Sequence, residues 1–462
     1  MEPEPLEHAA FRDHHTPTRV APIETVPNEL LVSVFQLGRG LTRRTQSEIP
    51  FPVVASHVSR RWRHVAIHTP ALWTNIFACS LQSLGRVEAF ILRSAEYNLD
   101  ITCDWSGRGL AEIYPLWVIA DCVDMLARHS HRWREFVFKT DNSLHVDAVV
   151  SRLGQIAAPR IQALRLLFFN DRQVVPPNRQ LFSPHLASLT TLDLYLPDPG
   201  WMPTYANFRE IVASCPSLTT LILRCLCPYW PGDDQIDPIE IPLLRSLALG
   251  DFADNSYYIA RILAAISTPA LENLELLGLG PGSWHIFELI HERKGRIFPA
   301  LRSITLLNCE IQKGVIVWMA ATFPSVTHLV VLHANLDNFA EMLADRSVYP
   351  NNPNGLPIWP ELRSCTFMAN RPTIRPKTKQ LLQNVISSRK SAGMPLAELR
   401  CEQTLHDQTS LRGCLQDGVH FALFKRSDYE AYLHRDIFYP NAEENIIGMQ
   451  RFWGNNLDVN GG

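Results

Sequence analysis

One spacing recurs along most of this chain: an apolar residue, two others, an apolar residue, one other, an apolar residue. It is carried by Trp133/Phe136/Phe138, Ile161/Leu164/Leu166, Leu189/Leu192/Leu194, Leu218/Leu221/Leu223 and Leu244/Leu247/Leu249. It continues through Leu271/Leu274/Leu276, Leu301/Ile304/Leu306, Val326/Leu329/Val331, Leu362/Cys365/Phe367 and Leu396/Leu399/Cys401. All thirty marked positions are apolar. Of the thirty positions between them only six are (Val137, Ala163, Ile222, Ala248, Val330 and Ala397), a depletion against 46% hydrophobic residues chain-wide. Units begin 28, 28, 29, 26, 27, 30, 25, 36 and 34 residues apart. The alternation that closes each unit predicts a short strand with one buried face. Between strands, Tyr205/Phe208/Ile211/Val212, Tyr258/Ile259/Ile262/Leu263/Ile266 and Leu381/Leu382/Val385/Ile386 are spaced as one face of a helix. In seven units a proline stands two residues before the first marked position: Pro159, Pro216, Pro242, Pro269, Pro299, Pro324 and Pro360. There it is expected to end the helix and launch an extended segment.

A strand of four or five residues plus one helix cannot bury its own apolar face, whereas stacked units can. The expected class is therefore α/β, with parallel strands inside a curve and helices outside. The L-x-x-L-x-L core at this period resembles leucine-rich repeats, and the resemblance implies an irregular solenoid over residues 81–425. The Asn or Cys that such repeats carry three positions after the last marked residue occurs at Cys309 and Asn370, but Phe169, Pro197 and Phe252 replace it elsewhere. Arg86 to Ser94 followed by Leu99/Ile101 reads as an incomplete opening unit, and Val419/Phe421/Leu423 as a closing strand. Residues 426–462 read as a C-terminal cap or a flexible tail.

The N-terminal part follows a different pattern. Residues 1–20 hold too little apolar content to fold and are expected to be disordered. From Val26-Pro27-Asn28-Glu29-Leu30-Leu31, Pro27 suits a first helical turn, and Leu30/Leu31/Val34/Phe35 form a helical stripe that Gly38 and Gly40 should end. A second segment runs from Val53 into Ser59-Arg60-Arg61-Trp62-Arg63, with Val58, Trp62 and Val65 on one helical face, and Leu72-Trp73 closes it. These landmarks, in this order, resemble an F-box; residues 21–80 are the expected extent, with a linker from Arg39 to Pro50 longer than usual. The resemblance implies docking on a Skp-family adaptor and, through it, a cullin–RING ligase. By position Pro27, Leu30, Leu31, Val34, Phe35, Val58 and Trp62 would make that contact. A helical hairpin of ~45 residues is near the lower limit for a self-sufficient core, so a partner surface is also expected on physical grounds.

Composition narrows the chemistry. Lys+Arg 43 against Asp+Glu 46 gives a net charge of -3, which offers no broad basic field for nucleic acid or anionic lipid. No apolar run approaches the ~20 residues of a bilayer span, and the start lacks the features of a signal peptide. The expected setting is cytoplasmic and/or nuclear, away from membranes. Ten dispersed cysteines without a C-x-x-C pair read as reduced, mostly buried thiols. His291-Glu292-Arg293-Lys294-Gly295 lacks the second His of a zinc-protease helix, and Gly278-Leu279-Gly280-Pro281-Gly282 is a turn rather than a phosphate loop. His64 and His68, one helical turn apart, lack a third ligand. No cofactor, metal or catalytic constellation is expected.

Solenoids usually take partners on the strand side. The expected target-binding residues there are Arg165, Asp193, Tyr195, Arg224, Glu275, Leu277, Leu307, Leu332 and Met368. Leu167, Tyr195, Leu277, Leu307, Leu332 and Met368 would line one exposed strip. A second possibility is that the tail or loops cover that strip. The reading is a substrate-recognition subunit of an SCF-type ubiquitin ligase that captures a protein target; the alternative is a solenoid scaffold outside any ligase.

Overall fold

In the computed structural model the described residues are 23, 25–41, 49–79, 83–106, 116–168, 186–196, 204–225, 238–250, 256–280, 287–288, 290–291, 298–334, 336–345, 357–369, 376–402 and 419–424. Residues 1–20 and 426–462, together with Phe169, Pro197, Phe252 and Asn370, lie outside them. The chain divides into two units, one of Met1–Ile76 with Gly85–Tyr97, the other of Phe77–Leu84 with Asn98–Gly462.

The first unit is helical. It holds α1 (Asn28–Leu41), α2 (Phe51–Val58), α3 (Arg60–Ile67), a single 3-10 turn at Pro70–Trp73 and most of α4 (Ser83–Arg93). Helix α1 runs through Gly38 and Gly40 rather than stopping at them. Gly38 serves packing instead: a Cβ there would stand 2.5 Å from Phe51 Cζ, so the missing side chain lets the ring lie against the helix. The expected common face of Val58, Trp62 and Val65 is also broken. Ser59 is extended (φ -155°, ψ 167°) and caps α3, its hydroxyl accepting from the Trp62 amide at 3.1 Å. The chain turns there, leaving Val58 in solvent and Val65 in the core. Phe35 anchors the interior between Phe51 and Trp62, with ring centroids 6.1 and 4.9 Å away. Trp73 anchors the other end: it donates to the Ala66 carbonyl at 2.8 Å, meets Phe90 edge-on at 5.0 Å and carries the Arg93 guanidinium 4.5 Å above its ring.

The second unit is the ladder that the repeat predicts. Its strands are β2 (Leu99–Trp105), β3 (Trp133–Thr140), β4 (Ala163–Phe168), β5 (Thr191–Leu196), β6 (Thr220–Cys225) and β8 (Ser246–Gly250), then β10 (Asn273–Leu277) and β11 (Ser303–Leu307). They continue through β12 (His328–Ala334), β13 (Ser364–Ala369), β14 (Glu398–Glu402) and β15 (His420–Phe424). With β1 (Asn75–Ala78) before β2, they form one thirteen-stranded sheet in chain order, and every pair from β2 to β15 is parallel. A second, two-stranded sheet pairs β7 (Ile239–Glu240) with β9 (Ile266–Ser267).

Helices fall between strands: α5 (Leu116–Ala127), α6 (Ser143–Leu153), α7 (Tyr205–Ala213), α8 (Ser256–Ala265), α9 (Lys313–Thr322), α10 (Leu336–Ala344) and α11 (Pro376–Ser391). Parallel neighbours need such crossovers, since no tight turn can return the chain to the same edge. The second and third marked residues stay in register throughout, Leu164 opposite Leu192, Leu192 opposite Leu221 and Leu221 opposite Leu247. All thirty marked residues are buried, none more than 3% exposed.

A backbone ladder locks the repeat. In eight units the carbonyl just after the first marked residue accepts two consecutive amides of the next unit: Gln162 from Thr190 and Thr191, Thr190 from Thr219 and Thr220, Thr219 from Arg245 and Ser246. The series runs on to Arg363, which accepts from Ala397 and Glu398. The repeat prolines act differently from expectation. In six units the residue before the proline closes a turn onto the first marked amide, as Cys215 does with Leu218 at 3.1 Å and Trp359 with Leu362 at 3.0 Å. Proline thus sits second in a β-turn, where its fixed φ is already correct, and the strand begins only after it.

Candidate functional site

Helix α1 presents two stripes about a quarter-turn apart. Leu31 and Phe35 point inward and are fully buried, whereas Leu30 (56% exposed), Val34 (50%) and Leu37 (71%) follow i, i+4, i+7 spacing along a solvent-facing line. On α2, Val54 and Val58 repeat this one turn apart, and both are exposed. Among the described residues thirteen large hydrophobics are exposed, and seven of them (Ile23, Leu30, Val34, Leu37, Ile49, Val54 and Val58) lie between residues 23 and 58. More than half of the exposed large hydrophobics among the described residues thus fall in this short stretch.

The residues expected to meet an adaptor therefore divide. Pro27, Leu30, Val34 and Val58 are at the surface, Trp62 is half-buried against Phe35, and Leu31 and Phe35 belong to the unit's own core. The sequence reading missed Leu37, Ile49 and Val54. Leu37 was available from the spacing, one heptad beyond Leu30.

The strand face of the second unit departs from expectation more sharply. Alternation and register place Leu167, Tyr195, Arg224, Gly250, Leu277, Leu307, Leu332 and Met368 in one row across successive strands. The row is not an exposed strip. Leu277, Leu307, Leu332 and Met368 are fully buried in one cluster with Val330 against it, and Leu167 joins Val137 and Tyr195 in another. Strands ~4.8 Å apart bring side chains of the same row into contact and shield their flanks, and exposures of 0–1% mean that their tips are covered as well. Gly250 leaves room for this, because a Cβ there would lie 2.9 Å from Leu277 Cδ2.

The charged members of the expected target site are withdrawn too. Asp193 and Arg224 are buried, and Arg165, Tyr195 and Glu275 are only half-exposed, Arg165 Nε standing 3.7 Å from Glu135 Oε1. None of the nine residues is fully open to solvent. What stays accessible includes the polar strand starts Asn273, His328 and His420, and Arg400 in the middle of β14. Glu398 accepts from Arg400 Nε at 2.9 Å and lies 3.4 Å from His420 Nδ1, so its carboxyl is held below the usual carboxylate range, Arg400 being the main cause.

Burial pushes the Cys309 and Cys365 thiols up to about 12, and Cys309 Sγ donates to the Leu307 carbonyl at 3.3 Å. Among the described residues no group of three or more His, Cys, Asp or Glu is placed to hold a metal ion. His64 and His68 are exposed, their rings 4.2 Å apart, with His68 Nδ1 2.8 Å from the His64 carbonyl. Also among the described residues, no helix is long and apolar enough to cross a membrane. The chain matches no protein-family model and no curated protein in sequence. The first unit exposes apolar residues on α1 and α2, and the strand face of the second combines a buried apolar row with accessible polar residues.

Proposed function

We propose that this protein is the substrate-recognition subunit of an SCF-type ubiquitin ligase. Residues 26–73 act as the F-box that binds a Skp-family adaptor, and the leucine-rich-repeat-like ladder holds a protein target. One observation carries the reading: Leu30, Val34 and Leu37 of α1, and Val54 and Val58 of α2, are exposed apolar residues on a small helical unit whose interior is already filled by Phe35, Phe51, Trp62 and Trp73. The order of landmarks along this unit and the repeat that follows support it. In this reading the protein positions a target and other subunits supply the chemistry. The target would be read at the accessible polar residues of the strand face, Asn273, His328, Arg400 and His420.

Co-purification with a Skp-family adaptor tests the proposal. The intact chain should retain the adaptor, and Leu30→Asp with Val34→Asp should lose it while far-ultraviolet circular dichroism stays unchanged. Exposed positions are the right probes, because truncating Phe35 would unfold the unit and mimic a loss of binding. Retention of a target without the adaptor would favour the scaffold reading instead.

A further inference from the structure

The backbone ladder sets the residues just after the first marked positions in one row along the strand starts. Four of these ten residues are arginines: Arg134, Arg245, Arg302 and Arg363. Two of them show what the position takes. Arg134 clasps Asp100 of the preceding strand, Nε donating to Oδ1 at 2.8 Å and Nη2 to Oδ2 at 2.5 Å. Arg245 Nη1 donates to Glu272 Oε1, one unit on, at 2.6 Å. Arg302 and Arg363 receive no such carboxylate. Both are exposed, and among the described residues neither makes an ion pair. Arg302 Nη1 reaches the Pro299 and Leu301 carbonyls of its own turn, at 3.3 and 3.1 Å, while Glu272, its neighbour in the row, is taken by Arg245. Arg363 stands between the uncharged Thr327 and Ala397, and the exposed Glu361 on the turn before it does not pair with it.

Thr327 is the one residue of the row between the two arginines. Beside it His328 is exposed, in register with Ser303 and Ser364, its Nδ1 2.7 Å from Thr327 Oγ1. We infer that this face binds an extended acidic segment of the protein target, whose carboxylates dock on Arg302 and Arg363 as Asp100 and Glu272 dock on Arg134 and Arg245. The inference rests on the reading that the strand face holds a target, and specifies that target's chemistry. Arginine's planar fork suits carboxylates, and the chain's own ligands at equivalent positions are carboxylates. Two strand spacings separate Arg302 from Arg363, about 10 Å along the sheet. A segment in polyproline conformation, with three residues per turn and ~3.1 Å per residue, presents every third side chain on one side at nearly that interval. A nucleic acid fits less well, because backbone affinity grows with the number of phosphates neutralised and two separated arginines neutralise few.

The test measures binding of a fluorescein-labelled peptide of four Glu-Pro-Pro repeats to the full chain at about 0.05 and 0.5 M salt, a range over which exposed ion pairs are progressively screened. The peptide should bind and should weaken at high salt, whereas four Gln-Pro-Pro repeats should not bind. Arg302→Glu with Arg363→Glu should weaken binding about tenfold or more at low salt, with the thermal midpoint unchanged. Arg128→Glu with Arg160→Glu makes the same change in net charge at exposed positions of the first units and should leave affinity within about twofold. Three results overturn the inference: affinity within about twofold after the Arg302 and Arg363 reversal, equal binding of the Gln peptide, or no binding of the acidic one. Retention of a Skp-family adaptor alongside any of these leaves the ligase reading standing. Reversal-sensitive binding of a single-stranded oligonucleotide in place of the peptide also overturns the inference, and assigns the arginines to phosphates. Reversal-sensitive peptide binding by a chain that never retains the adaptor supports the acidic site and removes the ligase.

Discussion

The guanidinium of Arg389, near the end of α11, donates to the main-chain carbonyl of Trp359 at 2.9 Å and extends to the carbonyls of Ile358 at 3.0 Å and Leu362 at 3.3 Å. Both side chains are fully buried, and Trp359 holds φ at 48°, in the left-handed region. One cation thus satisfies the carbonyls of an irregular turn leading to β13, while burial draws its own pKa below the ordinary value. Arg389→Met should lower unfolding stability by about 3 kcal/mol, since the buried Ile358 and Leu362 carbonyls lose the guanidinium donor together while Trp359 keeps only the Leu362 amide. Arg389→Lys should recover only part, because an ammonium cannot span the fork. Urea midpoints at constant m-value check both.

Adjacent leucines on α1 should behave oppositely. Leu31→Ala leaves a cavity and should cost about 2–5 kcal/mol, whereas Leu30→Ala should stay within about 0.5 kcal/mol in the unpartnered chain. Thermal unfolding of the two variants reads this directly.

Leu332 tests the sealed row. A leucine in an exposed strip could be truncated at little cost, but Leu332 is fully buried between Leu307 and Met368. Leu332→Ala should destabilise by about 2–5 kcal/mol, and Leu332→Asp should prevent folding. A stability change under about 0.5 kcal/mol would show that the row is open.

The buried thiols make a prediction about pH. Cys309 and Cys365 titrate at about 12 in the folded chain against an ordinary value of 9.0, so both states are protonated below that value and stability is unaffected. As pH rises from 9.0 toward 12, the unfolded thiols ionise while the folded ones stay neutral, and stability falls. Alkylation near pH 8, where ordinary thiols react, should leave both unmodified in the native chain and modify both in urea, as read by peptide mass mapping.

Two helical glycines should respond with opposite signs. A Cβ at Gly85 meets nothing within 4 Å, so Gly85→Ala should raise stability by about 0.5–1 kcal/mol through helix propensity. At Gly38 the added carbon collides with Phe51, and Gly38→Ala should lower stability by about 1 kcal/mol or more. Denaturation of the pair separates packing from propensity.

The parallel ladder was legible in the sequence because its determinant is periodic. Leu164, Leu192 and Leu221 fall in register wherever spacing places them, and a strand–helix unit that cannot bury its apolar face alone must stack. The split of α1 was half legible. Spacing marked Leu30, Leu31, Val34 and Phe35 as one broad stripe, but which half faces Trp62 depends on how α3 leaves Ser59.

Other features were decided only in three dimensions. Gly38 reads locally as a helix end, yet Phe51, thirteen residues on, turns it into a packing site. Leu277, Leu307, Leu332 and Met368 alternate as outward strand positions should, and alternation assigns a face without telling whether that face meets water. A one-dimensional pattern encodes direction at each residue. Exclusion of solvent is a property of everything that surrounds it, and only the folded chain determines that.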